Sequence, residues 1–233
     1  MIFHTRQFDL HQEQSAMKIG TDGVLLGAWC ALPHSGSVWD LGTGTGLIAL
    51  MAAQRCGCTI TGVEIDRASA LEAAANAASS PWSDRVRIVH GDALELADTL
   101  GEADAIVSNP PYFDTTLKSP DLRRAGARHA GSLSPESLIE LAAKKLSPSG
   151  RLSFIAPANQ FNAIDAAVCF HRLNMQRVCM VSSREGKAPM RVLVQIGRTE
   201  MMIERTALQI RTDGGDYSPE YRVLTNDFYT HLK

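Results

Sequence analysis

No stretch of this 233-residue chain approaches the roughly 20 consecutive apolar residues of a membrane span, and Met1-Ile2-Phe3-His4-Thr5-Arg6-Gln7 lacks the basic-then-apolar order of a secretion signal. A cytoplasmic protein with no membrane partner is expected. Cysteine is sparse as well: Cys30, Cys56, Cys58, Cys169 and Cys179 make five, an odd number, and only Cys56-Gly57-Cys58 is closely spaced. That pair has no second half and no histidines beside it, which argues against a zinc site. Free, buried thiols in a reducing compartment, and no metal, are expected. Excess positive charge is missing too, since the formal net charge is -2, so sequence-independent coating of nucleic acid is disfavoured. Internal repeats and low-complexity stretches are absent. With 45% hydrophobic residues the chain can fill one core but has no room for a second full domain. No dedicated nucleic-acid-binding domain and no obligate protein partner are evident.

Against that background, Asn109-Pro110-Pro111-Tyr112 is the most informative stretch, because it follows the apolar strand Asp104-Ala105-Ile106-Val107-Ser108 and so stands where a strand leaves its sheet. An exocyclic amine such as adenine N6 has its lone pair delocalised into the ring and needs acceptors around it before it can attack. The Asn109 side-chain carbonyl and the Pro110 backbone carbonyl can accept its two hydrogens, drawing the nitrogen toward tetrahedral geometry. Two consecutive prolines stiffen the loop. Tyr112 offers a ring on which a flipped base could stack. The competing reading is an ordinary strand-ending turn, since Asn-Pro and Pro-Pro are common loop punctuation.

Upstream, the strand Val38-Trp39-Asp40-Leu41 runs into Gly42-Thr43-Gly44-Thr45-Gly46 and then the apolar Leu47–Ala53, a strand, a glycine loop and a helix. Glycines let a cofactor approach the backbone, and the helix start presents unpaired N–H groups. The dinucleotide fingerprint requires its third glycine where Leu47 stands, so a pyrophosphate is disfavoured. Glu64 ends the next strand, Thr59–Val63, at about the 20-residue distance expected of a carboxylate gripping ribose hydroxyls. A cofactor with a ribose and no diphosphate is S-adenosylmethionine.

With Asp40 through Gly46 as first motif, Glu64 and Ile65 on the ribose side, and Gly91-Asp92-Ala93 after a third strand, the chain resembles the class I S-adenosylmethionine-dependent methyltransferases. The resemblance implies cofactor contacts from Asp40, Gly42, Thr43, Gly44 and Gly46, and an Asp92 that faces the adenine amine of the cofactor, with Ala93 beside it. The Asn109–Tyr112 motif resembles the amino-methyltransferase signature, shared by adenine-N6, cytosine-N4, N2-guanine and protein-glutamine enzymes. The N-terminal stretch Met17-Lys18-Ile19-Gly20-Thr21-Asp22-Gly23-Val24-Leu25-Leu26-Gly27-Ala28-Trp29 narrows this further. It is similar to the bacterial family that methylates N6 of adenosine 37 beside the anticodon of a valine tRNA. By that resemblance Lys18, Thr21 and Asp22 lie near the methionine end of the cofactor. Alternatively, Lys18 is a solvated surface lysine, and Asp22 N-caps a helix beginning at Gly23.

Charge is unevenly placed. Lys118, Arg123, Arg124 and Arg128 stand against one acid, Asp121, and with His129 they form a candidate substrate loop just beyond the catalytic motif. Six basic residues between Arg172 and Arg198 stand against Glu185 alone, and Arg184, Lys187 and Arg191 are candidate RNA contacts; a solvated face is the competing reading.

The alternation of patterns predicts helices near Asp66–Ser79, Pro135–Leu146 (capped by Ser134, stopped by Ser147-Pro148-Ser149-Gly150) and Asn159–His171. It predicts strands at Arg85–His90, Asp104–Ser108, Arg151–Ala156, Arg177–Ser182 and Arg191–Gly197. The short connection between the last two favours an antiparallel pair. Met201–Arg211 is a further extended segment, and Tyr217, Tyr221, Phe228 and Tyr229 are expected to pack on the domain. The expected fold is α/β and Rossmann-like, a mainly parallel seven-stranded sheet with an antiparallel C-terminal strand pair and helices on both faces. One domain spans 1–233, with 1–31 as a cofactor-capping segment and 199–233 as an extension. The expected activity is methylation of adenosine 37 in a valine tRNA. The alternatives are a protein-glutamine or DNA-adenine methyltransferase, or a module that binds RNA or cofactor without turnover.

Overall fold

The computed structural model describes residues 1–15, 17–111 and 133–230. A short antiparallel hairpin, Ile2–His4 (β1) with Asp9–His11 (β2), precedes an eight-stranded sheet of Ser37–Leu41 (β3), Thr59–Glu64 (β4), Val86–His90 (β5), Ala103–Ser108 (β6), Leu146–Pro157 (β7), Asn174–Arg184 (β8), Arg191–Gly197 (β9) and Glu204–Arg211 (β10). The order across the sheet is β10-β8-β9-β7-β6-β3-β4-β5. Strands β3 to β7 are parallel, and β9 runs antiparallel between β7 and β8. The seven expected strands are all present. The eighth comes from the Met201–Arg211 segment, whose residues Glu204–Arg211 pair parallel to β8 at the edge.

Alternate residues of each central strand feed opposite cores, as the two-residue period of a strand requires. Val38, Ala105 and Val107 face Thr21–Trp29 (α1) and Leu47–Arg55 (α2), with Arg67–Ala78 (α3) on the same side. Trp39, Leu41 and Ile106 face Ala93–Leu100 (α4), Pro135–Lys145 (α5) and Phe161–Phe170 (α6). Because both faces are covered, the strands read as near-continuous apolar runs. Local signals place the helix starts: Asp66 caps α3 by accepting from Ser69 N, and Ser134 forms a reciprocal capping box with Ser137 ahead of Pro135.

Three expectations change. The residues Ser147-Pro148-Ser149-Gly150 do end the helix, but they form the irregular, bulged start of β7, where Ala103 pairs with Leu146 and Ala105 already with Arg151. Helix α1 begins at Thr21 with Gly20 as its N-cap, and no side chain caps it, so Asp22 sits inside the first turn and is not the cap. All five cysteines are free as expected, yet Cys169 is exposed and Cys56 is half-buried.

The C-terminal residues close over the N-terminal hairpin. Pro219–Thr225 (α7) buries Tyr221, Phe228 is also buried, and Tyr217 stacks on Tyr221 with ring centroids 4.8 Å apart. Arg6 donates to the Tyr229 carbonyl at 2.9 Å and to Asn226 Oδ1 at 3.1 Å, and Thr5 forms an isolated bridge with Tyr229. The tail aromatics therefore pack on the domain. Among the described residues no helix is long and apolar enough to cross a membrane.

Candidate active site

At β3 the strand order reverses, with β4 on one side and β6 on the other, and in open α/β sheets ligands bind outside the carboxyl ends of strands at such a point. Three motifs found in the sequence leave the sheet here. Asp40 and the glycine loop end β3, Glu64 ends β4, and Asn109 follows β6, so neighbouring strands about 4.8 Å apart carry all three.

The loop needs its glycines. Gly42, Gly44 and Gly46 have φ of 73°, 57° and 86°, a region costly for residues with a Cβ. A Cβ on Gly44 would meet nothing within 4 Å, so the loop borders open space. Gly42 N and Thr43 N both donate to the Val63 carbonyl, at 2.8 and 3.0 Å, tying the loop to β4.

Asp40 is fully buried beneath the loop. Its Oδ2 accepts from Thr43 Oγ1 at 2.6 Å and from Ala49 N at 2.9 Å, and its Oδ1 meets no hydrogen-bond partner among the described residues. Burial pushes its carboxyl up to about 7 against the pull of those two donors. An orphaned acidic oxygen beneath an open glycine loop suits a ligand that brings positive charge or donors, as a sulfonium-bearing amino acid does. Glu64 Oε2 accepts from Gly44 N and Oε1 from Asp66 N, each at 2.9 Å, and a carboxylate's remaining lone pairs can still accept from a ribose hydroxyl. Burial raises the Glu64 carboxyl, and those backbone donors resist the rise. Beside it Ile65 stands exposed, an apolar face next to this carboxylate. Asp92 N-caps α4 by accepting from Leu94 N at 2.8 Å, with Ala93 buried behind it. These residues fit S-adenosylmethionine.

Asn109 is half-buried and Pro110 buried, with Pro111 half-exposed beside them. The Asn109 amide nitrogen lies 3.9 Å from where a Cβ on Gly23 would project, and Leu47 Cδ2 lies 3.1 Å from that point. The first turn of α1 thus packs at once against the start of α2 and against Asn109. Thr21 is exposed at that turn, and Asp22 pairs with Arg191 at the start of β9, Nε to Oδ2 2.8 Å. The Lys18 ammonium donates to the carbonyls of Gln12, Glu13 (3.2 Å) and Ser15 (3.3 Å), which occupies its three N–H groups. Tyr112, Lys118, Arg123, Arg124, Arg128 and His129 lie outside the described residues.

The second basic run does not act as one surface. Because β8 and β9 are antiparallel, Arg172, Arg177 and Arg198 fall at the opposite end of the sheet from the site, while Arg184, Lys187 and Arg191 share its end. Arg177 covers the Trp29 ring at 4.3 Å and pairs with Glu204, and Arg198 donates to the carbonyls of Leu146 and Ala143. Arg184 and Lys187 are exposed, with no side-chain partner among the described residues, on either side of Glu185. Arg191 is largely covered and joined to Asp22. Arg191→Ala is therefore expected to cost about 1 kcal/mol of stability while leaving the salt dependence of RNA affinity unchanged. A salt slope reduced by about one ion would make it a phosphate contact.

The methyltransferase small-domain family matches residues 15–170. The tRNA1(Val) (adenine(37)-N6)-methyltransferase of Porphyromonas gingivalis is 43% identical over 98% of this chain and 95% of its own length. Its namesake from Shewanella amazonensis is 39% identical over the whole of both chains. Among solved structures, a predicted O-methyltransferase from Agrobacterium tumefaciens superposes with a TM-score of 0.69 at 21% identity, covering 91% of this chain and 99% of that one. A Listeria monocytogenes protein described as a putative class I S-adenosylmethionine-dependent methyltransferase gives 0.57 at 16% identity, over 80% of this chain and 62% of that one. At these identities the structures establish the fold alone.

Proposed function

The chain belongs to the methyltransferase small-domain family and to the family of the tRNA1(Val) (adenine(37)-N6)-methyltransferases, and from that membership we propose that it methylates N6 of adenosine 37 in a valine tRNA, in the cytoplasm. The observation that carries the reading is the convergence of the glycine loop, Glu64 and Asn109 at the ends of three adjacent strands. S-adenosylmethionine, when bound, supplies an electrophilic methyl group on a positively charged sulfur.

Asp40, Gly42, Thr43, Gly44, Gly46, Glu64, Ile65, Asp92 and Ala93 would hold that cofactor, Glu64 at its ribose and Asp92 at its adenine. Thr21 and Asp22 would close the methionine end through the first turn of α1. The Asn109 carbonyl and the Pro110 backbone carbonyl accept the two hydrogens of the substrate amine, which localises its lone pair for attack, and Tyr112 stacks on the base. Pro110 and Pro111 keep those acceptors fixed. No strong base is needed, because the nitrogen's extra proton becomes acidic once a fourth bond has formed and leaves to water. Lys118, Arg123, Arg124, Arg128 and His129, with Arg184 and Lys187, are the proposed RNA contacts, and Arg191 supports Asp22. Residues 1–31 and 199–233 are proposed as parts of one domain, the first closing over the cofactor.

Asp40 gives this reading a pH signature. Its folded value of about 7 lies above the ordinary 3.8, so the buried acid form contributes stability that is fully present below about 4 and is lost as pH rises through about 7. A cationic ligand prefers the carboxylate, so cofactor affinity should run the other way and increase as pH rises toward about 7. Asp40→Asn should flatten both profiles, measured by thermal unfolding and by calorimetry; a wild type whose cofactor affinity is level across that range would contradict the assignment.

The decisive assay is transfer of labelled methyl to bulk tRNA from cells lacking the gene, followed by nucleoside mass spectrometry. N6-methyladenosine confined to one valine tRNA is expected. Label in protein, or no label with cofactor bound, would overturn the reading.

A further inference from the structure

Two residues of α3 that lie outside every motif hold one wall of the site. Asn76 is 2% exposed and makes three hydrogen bonds. Its Oδ1 accepts from His11 N, and its Nδ2 donates both to the His11 carbonyl and to the Thr45 carbonyl inside the glycine loop, each at 2.9 Å. One turn earlier on the same face of the helix stands Glu72, also buried. Its Oε1 accepts from Glu13 N and Gln14 N, and its Oε2 from Ser15 N and Ser15 Oγ. Burial alone would raise the Glu72 carboxyl; the four donors outweigh it and hold the group below its ordinary value.

The segment these residues grip is itself closed. Lys18 ties the carbonyls of Gln12, Glu13 and Ser15 together, and buried Gln12 accepts from Ile19 N at 2.9 Å. Gly20, the N-cap of α1, follows directly, and the first turn of α1 packs beside Asn109. The strap His11–Ser15 and Met17–Ile19 is therefore fastened at one end to the glycine loop and delivers at the other the turn beside the amine-binding motif. A segment with so few apolar anchors would lose its order without these polar ones, and binding would then bear the entropy of ordering it.

We infer that Asn76 and Glu72 are positioning residues for the cofactor: they latch the strap to the glycine loop so that this wall of the site is formed before the ligand arrives. The inference rests on the proposed cofactor site and does not depend on which RNA is methylated. Asn76→Asp keeps size and the acceptor for His11 N but loses both donated bonds, and Glu72→Gln replaces one acceptor oxygen with a donor facing other donors.

Each variant is expected to raise the Kd for S-adenosylhomocysteine, by calorimetry, about tenfold. Backbone exchange at Glu13, Gln14 and Ser15 should accelerate, while kcat at saturating cofactor and KM for tRNA stay within about twofold. Leu208→Ala, in the edge strand β10, is the control for general destabilisation and should lower Tm without moving that Kd. Should the α3 variants fail to fold, Ser15→Ala removes one of the four donors to Glu72 and should still raise Kd about two- to threefold. A folded variant with unchanged cofactor Kd, or a Kd that rises equally in Leu208→Ala at the same loss of Tm, would overturn the inference. Failure of the wild type to methylate tRNA would count against the proposed substrate and leave this result standing.

Discussion

Asn109→Ala is expected to lower kcat by at least about 10³-fold, because it removes the only side-chain acceptor that the described part of the proposed amine-binding motif provides. The remaining acceptor, the Pro110 carbonyl, can take one hydrogen and leaves the second without an acceptor from the described part of the motif. The nitrogen lone pair then stays delocalised in the ring. Asn109 stands after β6, across β3 from Glu64, so its loss should leave cofactor Kd within a few-fold. The two quantities separate cleanly when calorimetry with S-adenosylhomocysteine is set beside single-turnover methyl transfer. A parallel collapse of both would mean that Asn109 shapes the cofactor pocket and does not polarise the amine.

Glu64→Ala should have the opposite profile. This side chain is proposed to accept from the cofactor ribose, and it also accepts from Gly44 N and Asp66 N, so truncation removes ligand acceptors and unties the loop at once. An increase in cofactor Kd of about 10²-fold is expected, equivalent to about 2.7 kcal/mol, near the range for hydrogen bonds to a charged group. Affinity for tRNA, measured without cofactor, should change less than about twofold. Glu64→Gln should fall between, since one oxygen still accepts while the amide nitrogen meets a backbone N–H. Unchanged cofactor affinity in Glu64→Ala would remove this residue from the site.

Much of the site is legible in the sequence because its parts are local. A glycine loop, an acid at a strand end and an Asn-Pro-Pro turn each announce themselves within a few residues, and the order of elements fixes that they meet at the carboxyl ends of adjacent parallel strands. The parts that stay hidden depend on distant partners. Glu72 and Asn76 sit in the alanine-rich helix Arg67–Ala78, where nothing local marks a lone acid and a lone amide; the approach of residues 11–15 and of the glycine loop to that helix gives them a role. Asp22 looks like a cap because it precedes an apolar run, yet Arg191, 169 residues away, takes its carboxylate. The basic run from Arg172 to Arg198 looks like one patch because charge is counted along the chain, whereas the antiparallel turn divides it between two ends of the sheet. Strands β1 and β2, three residues each, are too short for alternation to register.

The bonds between Arg6 and the residues near Tyr229 have a consequence for how the molecule comes to be made. They close a loop of 223 residues. Synthesis runs from the amino end, so residues 1–11 are made well before residues 226–229 and must wait for this partner. The entropy of closing so long a loop grows only slowly, by about 0.6 kcal/mol per doubling of length, so the delay sets the order of events more than the final stability. The earlier-made segment is thus fixed to this partner late, after every strand of the main sheet has been made.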